Sequence, residues 1–77
     1  MIRPEVLKQL RVRFKPGTRV RLISMNDPYT RLKPGDEGIV SIVDDIGTVF
    51  VDWDCGSKLG VVFGEDQCEL IKEKNDG

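Results

Sequence analysis

Seventy-seven residues, 39% apolar and 32% charged, are expected to make one folded domain around a single small core, and exclude a disordered chain. No apolar run approaches the about 20 residues of a membrane-spanning helix. With no histidine and only two cysteines, neither a zinc site nor a disulfide framework is expected, and Cys55 and Cys68 read as free thiols of a reducing compartment.

The amino-terminal residues 1–5 lack the apolar core of a secretory signal, so a cytoplasmic location is expected. The net charge of −1 conceals an asymmetry: residues 1–33 sum to +7 and residues 34–77 to −8. Such a split points to a polyanionic partner. If strands of the two halves lie side by side, it points instead to ion pairs across strands.

In chain order, Pro4 and Glu5 suit the first turn of a helix, and Val6, Leu7, Leu10 and Phe14 recur at helical spacing. They predict a short amphipathic helix over about residues 4–14, ended by Pro16-Gly17 and laid over an open end of the barrel. A first strand is predicted over 18–25, where Val20 and Leu22 alternate with Arg19 and Arg21. A long polar loop with one aromatic, Tyr29, follows. Lys-Pro-Gly occurs at 15–17 and again at 33–35, each time ahead of a strand, and Pro34-Gly35 fits the centre of a type II turn.

Strands are then predicted over 37–43 and 48–53, joined by Asp44-Asp45-Ile46-Gly47 as a type I turn ending on a glycine at positive φ. Val49, Val51 and Trp53 share the inner face, with Phe50 and Asp52 on the other. Val40 faces them, and a bulge decides whether Ile42 or Val43 follows it inward. After the turn at 54–57, a fourth strand spans 59–63, a 3₁₀ turn 64–67 and a fifth strand 68–71, with 72–77 a polar tail that frays. The expected core is Val20, Leu22, Val40, Val49, Val51, Trp53, Leu59 and Val61, with Phe14 and Phe63 also inside. The fold class is mainly β: a small five-stranded, partly open SH3-like barrel over residues 1–71, with a short N-terminal helix and a 3₁₀ turn before the last strand. An OB-fold fits less well, because the third and fourth strands are separated by a turn with no room for a helix.

Gly17-Thr18-Arg19-Val20, the Asn26-Asp27-Pro28-Tyr29 loop, Pro34-Gly35, Gly38-x-Val40, Val43-Asp44-Asp45-x-Gly47-Thr48-Val49 and the run from Trp53 to Gly60 resemble a bacterial and phage family of unknown function, number 4314, over about residues 3–71. The resemblance implies an SH3-like barrel in a bacterial or mobile-element setting and brings no activity with it. The family usually shows asparagine at the position of Cys55 and an aromatic at that of Cys68, so neither cysteine carries a family-wide role.

Catalysis is not expected. Ser24, Ser41, Ser57, Cys55 and Cys68 have no histidine to activate them. The pairs Asp44/Asp45 and Asp52/Asp54 match turn chemistry better than acid–base work. Asp52-x-Asp54-x-Gly56 lacks the later glutamate of a calcium loop. Neither metal nor cofactor is expected. The chain therefore reads as a non-enzymatic binding module, with a protein partner ranked first. Its expected site is Pro28 and Tyr29 of the long loop, flanked by Arg31, Lys33, Arg19 and Arg21, and an exposed Phe50 or Ile39 would favour it. The alternative is weak, salt-sensitive binding of single-stranded DNA or RNA through Arg11, Arg13, Lys15, Arg19, Arg21, Arg31 and Lys33, with Tyr29 for stacking. A third reading is a structural protein that self-associates, so the expected state is a monomer or weak homo-oligomer away from membranes.

Overall fold

The computed structural model describes residues 2–26 and 31–71. They form α1 (Pro4–Arg13), β1 (Arg19–Ser24), β2 (Glu37–Val43), β3 (Val49–Trp53), β4 (Gly60–Val61) and β5 (Gln67–Leu70). The strands make one antiparallel sheet in the order β4-β3-β2-β1-β5. No ladder joins β4 to β5 among the described residues, so the sheet is open. The expected mainly β architecture with a short amino-terminal helix is observed. The tail 72–77 and the loop residues Pro28 and Tyr29 lie outside the described residues.

Proline at the first helical position fixes φ where no donor is needed, and α1 starts there, behind an extended Arg3. Phe14 ends the helix: its N–H closes the last bond to the Leu10 carbonyl (2.8 Å) as its own backbone leaves helical geometry. No residue within α1 is buried. Leu7 and Leu10 pack against the core, and Phe14, just beyond the helix, enters it. The two Lys-Pro-Gly turns match each other. Thr18 N–H bonds the Lys15 carbonyl and Asp36 N–H the Lys33 carbonyl, both at 3.0 Å, with Gly17 and Gly35 at φ +90° and +98°. Positive φ at the third turn residue is what glycine supplies without strain.

Period-two alternation then sorts each strand. Val20 and Leu22 turn inward from β1, and Val49, Val51 and Trp53 from β3. In β2 the ladder pairs Val40 with Val51, then Ile42 with Phe50 and Val43 with Val49, leaving Ser41 as the extra residue of a β-bulge. The bulge shifts the alternation by one, so Val43 is buried and Ile42 is exposed. The β2–β3 turn ends on Gly47 at φ +87°, as its sequence predicts.

The core joins Phe14, Val20, Leu22, Leu32, Val40, Val43, Val49, Val51, Trp53 and Val61. Leu32 was not read as a core residue, because its neighbours in sequence are polar. Leu59, expected inside, is half-buried and packs against the cluster. Its carbonyl instead accepts the Trp53 indole N–H at 2.8 Å.

Phe63, also expected inside, is 49% exposed. The reason is the shortness of β4. Its partner strand begins at Val49, which pairs with Val61, so no ladder continues past that point. The chain turns instead: the Val62 carbonyl accepts both Glu65 N–H (3.1 Å) and Asp66 N–H (2.9 Å), and the Asp66 carboxylate accepts Val62 N–H (2.9 Å). The expected 3₁₀ turn is thus a mixed turn with one i+3 and one i+4 bond, and Phe63 rides on its outside.

Candidate binding surface

The outward positions of the strands form two zones. The first is charged. Arg19 and Arg21 point outward from β1 into carboxylates from three other parts of the chain. Glu69, Arg21, Glu37, Arg19 and Asp54 alternate in sign across the sheet, at 3.3, 3.6, 3.2 and 2.6 Å. Arg11 on α1 pairs in the same way with Asp45 of the β2–β3 turn, at 2.7 Å. The basic and acidic halves of the sequence therefore meet as ion pairs between neighbouring elements. Arg19, held by Asp54 first and Glu37 second, has its pKa raised, and the same guanidinium lowers that of Asp54.

The second zone is apolar. Ile39, Ile42 and Phe50 lie on the outer face of the β2–β3 hairpin with exposures of 40%, 57% and 38%. Ile42 and Phe50 are direct cross-strand partners, and Ile39 is opposite Asp52. Gly60 sits beside Phe50 in β4, where a Cβ would come within 3.3 Å of the ring. The missing side chain leaves room for the ring against the sheet. Asp52 borders the patch, its only ion pair among the described residues a 4.0 Å contact with Lys58 in which both side chains are largely exposed.

On the side of α1, a half-open cleft of about 420 Å³ is lined by Leu10, Arg13, Phe14, Ile23, Phe63 and Cys68, among others. The Arg13 guanidinium lies 5.5 Å from the centre of the Phe14 ring. Burial pushes the Cys68 thiol up to about 11, an effect Arg13 partly opposes. Among the described residues no three His, Cys, Asp or Glu side chains converge as metal ligands. Three other carboxylates work on the backbone: Asp44 accepts Ile46 and Thr48 N–H, Asp36 accepts Lys33 N–H, and Asp66 accepts Asn26 N–H as well as Val62 N–H.

The seven basic residues named for the nucleic-acid alternative fall into three groups. Arg13 and Lys15 sit at the end of α1, exposed. Arg31 and Lys33 sit exposed beyond the far end of β1, a strand of six residues and about 20 Å. Between them Arg19 and Arg21 are engaged by carboxylates, as is Arg11. Ile42 was left undecided by the sequence, and Asp52 was not read as part of a site. A local signal for Asp52 was present: residues 36–57 contain six acidic side chains and no lysine or arginine.

These features define a small helix-capped β-sheet domain with an exposed apolar patch on the outer face of its β2–β3 hairpin. The chain belongs to the family Domain of unknown function (DUF4314), whose model matches residues 3–71. No curated protein and no solved structure matches it.

Proposed function

We propose that this domain is a non-enzymatic binding module, an SH3-like barrel that works in the cytoplasm and docks a protein partner on the outer face of the β2–β3 hairpin. The observation that carries the reading is the adjacency of Ile39, Ile42 and Phe50, three large apolar side chains on one exposed face. Large side chains held together in water mark a surface that another molecule covers. The strand order, with β1 between β2 and β5, supports the barrel reading.

The same surface ranks the nucleic-acid reading second. Three of the seven cations it requires already face carboxylates at 3.6 Å or less. Phosphate contacts by those residues would have to break these pairs, and the sequence pI of about 5.3 adds long-range repulsion.

The test is a partner captured by the full chain, identified, and re-bound in purified form. Phe50→Ser and Ile42→Ser should each weaken that purified complex at least about tenfold while melting close to the parent. A partner held equally well by both variants, or capture of nucleic acid alone, defeats the reading.

A further inference from the structure

We infer that the segment docking on the β2–β3 face is a basic, apolar stretch of polypeptide, in which lysine or arginine flanks the aliphatic or aromatic side chains that cover Ile42 and Phe50. The inference rests on the docking reading above and adds the charge of the partner. All six charged side chains of residues 36–57 are acidic. Five of them bracket the apolar patch along the hairpin: Glu37, Asp52 and Asp54 at one end, Asp44 and Asp45 at the turn.

Most of these carboxylates are already used within the fold. Glu37 and Asp54 are held by Arg19, Glu37 also by Arg21, and Asp45 by Arg11. Asp52 is different. It lies two residues from Phe50 on the same face and opposite Ile39 across the ladder. Its 4.0 Å contact with Lys58 joins side chains that are 60% and 83% exposed. Exposed pairs of this kind are weak and screened by salt, so a cation brought in with an apolar segment can replace Lys58. A carboxylate brought to the same place would be repelled by Asp52, whose charge already offsets that of the exposed Lys58 beside it. Electrostatic complementarity thus selects the sign of the partner, and the apolar patch supplies contact area.

Two fluorescein-labelled peptides test the inference on the full chain by fluorescence anisotropy, one alternating lysine with leucine and the other glutamate with leucine. The lysine peptide is expected to bind, more weakly as salt is raised, and the glutamate peptide not to bind. Phe50→Ser and Asp52→Lys are each expected to weaken the lysine peptide at least about tenfold, with Ile42→Ser as a second apolar variant should Phe50→Ser melt early. Equal binding of both peptides, absence of lysine-peptide binding, or binding that Phe50→Ser and Ile42→Ser leave intact overturns the inference. So does competition by a single-stranded oligonucleotide for the same face, or a dimer that Phe50→Ser dissociates. If instead the glutamate peptide binds and is lost in Phe50→Ser, the hairpin remains a docking surface and only the assigned charge falls.

Discussion

Arg19 reaches Asp54 with two hydrogen bonds, one NH group to each carboxylate oxygen at 3.1 and 2.6 Å. This fork ties the β3–β4 turn to β1, two elements separated in the sheet by β2. The bonds favour ionised Asp54, lowering its pKa from the usual 3.8. A depressed folded pKa gives stability that is present above the unfolded value and lost as pH falls through the folded one. Asp54→Asn should therefore melt below the parent at neutral pH, with the two melting temperatures converging as pH drops below about 4. High salt should narrow the gap, since Asp54 is exposed and Arg19 only part-buried. A gap that persists unchanged to pH 2 would show that the turn, and not the charge, was damaged.

Gly38 pairs with Trp53 in the β2–β3 ladder, and its own backbone is packed against β3. A Cβ there would lie 2.7 Å from the Asp52 carbonyl oxygen and 2.8 Å from the Trp53 Cα. Backbone atoms cannot swing away as a side-chain tip can, so Gly38→Ala should cost about 1–3 kcal/mol. In a domain of this size that lowers Tm by at least about 4 °C. Thermal unfolding followed by circular dichroism measures it, and an unchanged Tm would mean that the strands part easily at this point.

Trp53 is 3% exposed, and its N–H is bonded to the Leu59 carbonyl. Trp53→Ala should cost about 3–5 kcal/mol out of a total stability of about 5–10 kcal/mol, leaving a marginal or unfolded chain. Trp53→Phe keeps a ring but removes the donor, and should cost less. In the parent, native tryptophan emission should be blue-shifted and move red on unfolding. Water-like emission from the folded protein would place the indole outside.

Cys55 is exposed in the β3–β4 turn and Cys68 is half-buried in β5. At pH 8 a disulfide reagent should label one thiol fast and the other slowly, and Cys55→Ser should remove the fast phase. The raised pKa of Cys68 has its own consequence. Any stability tied to its protonation is present below the usual 9.0 and lost as pH rises through about 11. Two equal rates in the folded protein would contradict the half-buried position of Cys68.

Sequence patterning carried most of the fold, for reasons visible in single residues. Val20, Leu22, Val49, Val51 and Trp53 were legible because a strand with one wet face must alternate. The twin Lys-Pro-Gly turns were legible because proline and glycine each fix a torsion. Phe63 was misplaced because its position depends on where β3 starts, which is a property of the partner strand. Leu32 was missed because its burial comes from elements distant in the chain. The candidate surface was legible in part. An exposed Phe50 or Ile39 was the stated sign of a partner face, but the place of Ile42 hung on the bulge, and the engagement of Arg19 and Arg21 depends on cross-strand register.

Ser41 marks the corner of the molecule. Up to Val40 the second strand is bonded to both neighbours, the Val40 N–H reaching the Thr18 carbonyl at 2.8 Å; beyond it, only the third strand remains alongside. One surplus residue at that point bends the ribbon away from its first companion and lets the sheet wrap its contents. Trimming Ser41 would preserve the pairing of Ile42 with Phe50 and of Val43 with Val49, yet straighten the corner. A flattened sheet would then leave the valines and the indole without a roof, so the bend here rests on a single serine whose side chain is exposed.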